Sequence, residues 1–330
     1  MAACALLESA QAVRFPARLD PYFKNTARLT AEQQLQLAAG SPVTKLLDAD
    51  ENKEVAVLGA IWITAPMRRY LEAVTDIENF ERGGAFRITK KLSSPPRVED
   101  FAQLQLPADD IRDLRACRVG SCEVKLSEEG VRRVQSEINW NGADVPAQVN
   151  RLAQRIALEY VSGYLKGGNA ELAVLRDRSR PTFVAQEFRS MVDAMPELTT
   201  YLPIPRQYLL EYPRVDLAGV TSFIYWQETQ FGLKPTIRIN HLSIFEDSGD
   251  ALVASKMLYA NHYFWTGLEL RALVADPARG PGFWFVAVSR SRSDGLSGFT
   301  GSIVRRRVRG EVQDGLLTAL RTTQRRLESR

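Results

Sequence analysis

A chain of 330 residues with 45% hydrophobic and 25% charged side chains has an ordinary globular make-up, and its length suits one large domain or two smaller ones. With 43 basic against 39 acidic residues the net charge is +4, too mild to point to nucleic acid as a partner. No apolar run approaches the roughly 18–20 residues of a membrane-spanning helix.

The opening, MAACALLESAQAVRFPARLDPYF, carries a short apolar patch at Ala3–Leu7 but neither a basic n-region nor a full hydrophobic region, so it fails as a signal peptide. It reads as a cytoplasmic start, or as a start placed within, or trimmed after, an export signal. In the second case MAAC resembles the tail of a lipoprotein cleavage site, with Cys4 as the acylated residue. Residues 1–50 are polar and rich in Ala and Gln, and are expected to form an arm on a main body at 51–330. Within the arm, Leu29–Gly40 predicts a helix stopped by its glycine. The β-branched, apolar run Lys53–Thr64 predicts a strand. Pro66 then opens a helix with Met67, Leu71 and Val74 at helical spacing, and Ala85–Leu92 predicts a second strand, broken by Ser93–Pro96.

Residues 97–213 read as mostly helical. Ser127 is a natural N-cap with carboxylates in the first turn after it. Pro146–Gly168 is the clearest helix, with an apolar stripe through Val149, Leu152, Ile156, Tyr160 and Tyr164; further short helices are expected at 183–202 and 205–213. The exception is RACRVGSCEVKL, which reads strand–turn–strand with Val119–Ser121 at the bend. Cys117 and Cys122 flank that bend and fit a disulfide, about 5.5 Å between Cα atoms. Closing so short a loop is worth about 2 kcal/mol on the chain-entropy model. Two free buried thiols, or a redox or metal pair, remain as alternatives. The spacing is not that of a Cys-x-x-Cys redox motif, and the only histidines, His241 and His262, are far off in sequence. A disulfide implies an oxidising compartment, hence a periplasmic or secreted protein, with the cytoplasm as the alternative.

From Leu217 the texture changes. Five β-branched and aromatic runs follow, at 217–231, 234–246, 250–265, 267–276 and 282–293, separated by short turns. Parallel pairing needs long crossovers, so these form an antiparallel meander. In the second run Ile237, Ile239, His241 and Phe245 share one face, and Arg238 and Asn240 the other. The chain closes in a long amphipathic helix whose stripe is Val304, Val308, Val312, Leu316 and Leu320, with Ile303 and Leu317 beside it. Gly310 and Gly315 within it predict close approach to another backbone, the sheet being nearest.

This order of strand, short helix, antiparallel sheet and long C-terminal helix, with Ile-x-Ala-Pro-like residues leading into the first helix, resembles the START-like (SRPBCC) superfamily. The likeness covers roughly 53–92 and 217–330; residues 97–213 would be an insertion. It implies an α+β helix-grip fold, a curved antiparallel sheet gripping the last helix. It also implies a cavity between the two for lipids or other hydrophobic molecules, and it brings no common catalytic residue.

Three functions are carried forward. The first is non-catalytic binding or transport of a hydrophobic small molecule or lipid, with Tyr225, Trp226, His241, Tyr259, His262 and Trp284 as lining residues. The second is a cyclase- or hydrolase-like enzyme using His241 with Tyr259 or Glu228 as acid and base; pairing about the turn near Ser248 is expected to bring His241 close to Tyr259 or Asn261. The third is an envelope interaction protein with 97–213 as its contact surface. The basic runs Arg305–Arg309 and Arg325–Arg330 form a solvated helix face or meet an anionic membrane. No phosphate-loop, dinucleotide, nucleophile-elbow or zincin motif occurs, so no cofactor or metal is implied.

Overall fold

The computed structural model describes residues 14–232, 234–297 and 301–329; the N-terminal patch and Cys4 lie outside them. The fold is α+β, an eight-stranded antiparallel sheet with helices on both faces and a long helix at the C-terminal end.

The chain enters through a π-helical turn, Tyr22–Thr26, and helix α1 (Ala31–Ala38), whose N-cap Thr30 forms a reciprocal capping box with Gln33. Strand β1 (Val43–Leu46) follows at the sheet edge. These residues were expected to belong to the arm; four residues are too few for alternation to be visible. Strand β2 (Glu54–Ile63) is buried along its whole length, as its unbroken apolar run requires when both sheet faces are covered. Helices α2 (Met67–Thr75) and α3 (Ile77–Phe80) lead to β3 (Phe86–Lys91) at the far edge.

Residues 97–213 hold α4 (Ala108–Ala116), α5 (Glu128–Glu137), α6 (Val145–Gly167), the two-residue strands β4 (Val174–Leu175) and β5 (Thr182–Phe183), α7 (Val184–Asp193), a π-helical turn Glu197–Tyr201, and α8 (Pro203–Glu211). Ser127 caps α5 as expected, its Oγ accepting from the Gly130 N–H at 3.1 Å. The cysteine segment is not two strands. Cys117 caps α4, and a single bridge between Arg118 and Ser121 closes the bend, with Gly120 at φ 87°. The Cys117 and Cys122 sulfurs are bonded, with Cα atoms 4.5 Å apart.

The meander is β6 (Thr221–Phe231), β7 (Lys234–Asp247), β8 (Asp250–Ala260), β9 (Phe264–Ala275) and β10 (Phe283–Ser293). The sheet order is β1-β2-β10-β9-β8-β7-β6-β3, so the last strand returns to lie beside β2. The third run ends earlier than expected, because residues 261–263 turn. Asn261 takes the Ile237 N–H on its side-chain oxygen, and Tyr263 sits at φ 58°. Side-chain hydrogen bonds make this turn without glycine or proline to announce it.

Helix α9 (Gly301–Glu328) lies with α2 and α3 on one face, over β1 and β2. Leu320 and Leu327 are buried there, whereas Ile303, at the other end, is 74% exposed. The glycine that permits close approach is on the strand: a Cβ on Gly59 would lie 2.8 Å from the Leu316 side chain. Gly310 and Gly315, expected to serve this purpose, face open space. The segment around Phe15, Leu19 and Phe23, with α7 and α8, covers β8–β10 on the opposite face, and α6 covers β6–β8 beside it.

Candidate functional site

A cleft of about 700 Å³ opens on the face opposite α9. Its floor is apolar because alternate residues of four adjacent strands point that way: Phe245 of β7, Leu252 of β8, Leu270, Ala272 and Val274 of β9, Val286 and Val288 of β10. The walls come from elements with no local reason to be near one another, Ala17–Tyr22 on one side and Glu197–Pro205 with Leu217–Val220 on the other. Hydrogen bonds hold the walls together. Tyr22 donates to Glu197 Oε1 at 3.0 Å, and the Thr26 and Tyr201 hydroxyls meet at 3.0 Å. Behind Glu197 a buried ionic lattice anchors the wall to the sheet. Arg290 and Arg292 each reach Glu54 at 2.9 Å, Arg292 reaches Glu187 at 2.8 Å, and Arg290 Nη2 lies 3.8 Å from Glu197 Oε2.

A second, smaller cavity of about 120 Å³ lies between α4, α5, α6 and the sheet, lined by residues such as Leu152, Ile156, Tyr160, Ile239 and Tyr259. Both cavities lie on the face away from α9, not in the space between helix and sheet that the resemblance implies.

The sequence-derived site residues are scattered. His241 is buried, its Nδ1 2.9 Å from the Tyr164 hydroxyl, with Tyr212 edge-on at 4.6 Å. It pairs with Lys256 across the β7–β8 hairpin, not with Tyr259 or Asn261. The turn has only two residues, Ser248 and Gly249, both at positive φ, so six steps back from Asp247 meet six steps on from Asp250. Tyr259 stands opposite Ile239, and its hydroxyl donates to the Lys125 carbonyl at 2.6 Å. Glu228, four residues along β6 from the position facing His241, accepts from Arg87 at 2.8 Å. Tyr225 points to the α9 face and meets Ser255 Oγ at 3.0 Å, while its neighbour Trp226 points the other way and donates to the Asp100 carbonyl at 2.9 Å. His262 is held by Asp110 at 2.9 Å, which fastens α4 to the β8–β9 turn. Trp284 packs edge-on against Trp62 and Phe15 and donates to Asp276 at 3.0 Å. None of these residues lines the large cleft.

The polar group that the structure does single out is Lys256. It is fully buried on the floor side of β8, its ammonium 3.3 Å from the Tyr164 hydroxyl, hydrogen-bonded to Asn169 Oδ1 and 4.4 Å from the Phe188 ring centre. No carboxylate pairs with it among the described residues. Burial therefore pushes its pKa down to about 7. Burial, helped by the Lys256 charge, also drives His241 down to about 3, so this imidazole stays neutral near neutrality and exchanges no proton there. The signal for Lys256 was present in the sequence: it interrupts an apolar alternation of Leu252, Ala254 and Leu258. Glu197 left no such signal, since its partners come from remote segments.

Arg305 and Arg326 of α9, read as its free basic face, donate to the Leu296 and Phe80 carbonyls, and Arg309 pairs with Glu51 at 2.9 Å. Among the described residues no helix is long and apolar enough to cross a membrane, and no group of three or more His, Cys, Asp or Glu residues is placed to hold a metal ion. No protein-family model matches the chain, and no curated protein matches it in sequence.

Proposed function

We propose that the protein binds or carries a hydrophobic small molecule or lipid, without catalysis, in the cleft on the β7–β10 floor. The observation that carries this reading is the cleft itself. Its volume, about 700 Å³, lies within the usual range of small-molecule sites, and its floor is built from apolar side chains of the sheet. The return of β10 to lie beside β2, with a helical pair after β2 and a long helix at the end, supports the helix-grip likeness. On that likeness the ligand site lies on the other side of the sheet, where residues 17–22, 197–205 and 217–220 wall it. Catalysis by His241 with Tyr259 or Glu228 lacks comparable support, because the three groups stand apart and the imidazole is locked neutral. The Cys117–Cys122 bond suits an oxidising compartment.

Titration with N-phenyl-1-naphthylamine, whose fluorescence rises in apolar surroundings, tests the reading. Saturable binding is expected, weakened about tenfold or more by Ala272→Phe, which fills the cleft from the one half-exposed residue on β9's part of the floor. Absence of saturable binding, or equal binding by the variant, refutes it.

A further inference from the structure

Resting on the cleft as the binding site, we infer the chemical class of its ligand: an apolar chain ending in a hydrogen-bond donor, an amine or an alcohol, and not a carboxylate. The charged side chains that line the cleft are Glu197, Glu246, Asp247, Asp250 and Arg18, four anions against one cation, and Arg18 is already bound to Asp250. A carboxylate head would meet like charge and no free cation on this wall. The wall hydroxyls of Tyr22 and Tyr201 are engaged with Glu197 and Thr26.

Glu197 sharpens the assignment. It is only 5% exposed yet lines the cleft, and its Oε2 has no hydrogen-bond donor. Its ion-pair partner is Arg290, whose Nη2 stands 3.8 Å from that oxygen, beyond hydrogen-bond distance, while Nη1 binds Glu54 and the Asp48 carbonyl. With one oxygen taken by Tyr22 and the other without a hydrogen-bond donor, the Glu197 carboxylate adds negative charge to the cleft wall, which favours an N–H or O–H head over a carboxylate. The acids at the β7–β8 turn, Glu246 and Asp247, are exposed at the mouth and add a field that favours a cationic amphiphile on approach.

Competition between matched ten-carbon compounds tests this. Decylamine, decanol and decanoate, each below its aggregation concentration, displace bound N-phenyl-1-naphthylamine at pH 7.4 and low salt. The amine and the alcohol are expected to compete at concentrations about tenfold or more below the acid. Glu197→Gln is expected to shrink that gap severalfold. Because Glu197 touches the buried lattice, the solvent-facing Asp247→Asn serves as a second variant. It leaves the fold intact and lowers the amine's advantage over the alcohol about twofold. Decanoate competing as well as the amine overturns the head-group assignment while leaving the cleft reading in place. A wild-type protein that takes up no probe overturns both.

Discussion

Replacing Lys256 by methionine separates the energetic cost of a buried lysine from everything else in the fold. Its pKa falls from near 10.5 in the unfolded chain to about 7 in the folded one, and burial is the cause. At about 1.4 kcal/mol per pKa unit, the protonated amine costs the native state about 5 kcal/mol. The sign follows from proton counting. Between pH 7 and 10.5 the unfolded chain binds the proton and the folded chain does not, so stability rises with pH through this window. Below pH 7 both states are protonated and the full penalty applies; above 10.5 it vanishes. Methionine matches the length of the side chain and carries no charge, but it leaves the Tyr164 hydroxyl and Asn169 Oδ1 without their donor, at about 1–3 kcal/mol each. These terms nearly cancel, so Lys256→Met is expected within about 2–3 kcal/mol of the wild type at pH 7. Relative to the wild type it should lose about 2 kcal/mol between pH 7 and 9. Urea denaturation of both proteins across pH 6.5–9.5 measures this, and the difference cancels other titrating groups such as Glu81, which burial raises to about 7. A difference that stays constant with pH, or that moves in the variant's favour towards pH 9, refutes the reasoning.

Gly59→Val places a side chain against Leu316, and about 1–3 kcal/mol of stability should be lost by denaturant titration; Leu316→Ala in the same chain should restore part of it. Asp110→Ala strips His262 and Asn261 of a shared buried acceptor, with Lys234 nearby at 3.8 Å. A loss of about 3 kcal/mol is expected, with early hydrogen exchange in α4, and unchanged protection there would contradict the role of this contact. Thiol titration of the denatured, unreduced protein should find one cysteine of the three, rising to three after reduction. Reduction of the folded protein should cost about 2 kcal/mol, the entropy of so short a loop.

Periodicity carried most of the elements. The aliphatic run of β2, the capped helix α5, the stripe of α6 and the meander from Thr221 to Ser293 follow from local propensity and burial, which neighbouring residues express on their own. Register depended on a smaller detail, the two-residue turn at Ser248–Gly249, and a count off by a few residues sent His241 to Tyr259 rather than Lys256. The cleft was not legible at all. Its floor residues read only as alternate apolar positions of strands. It becomes a cleft because Tyr22, Glu197 and Arg290, 175 residues apart at the first step, lock two remote segments above it. Amphipathic order along the chain settles which face of an element is buried. Which partner covers that face, and where the cover leaves a gap, is decided by contacts between segments that share no local pattern.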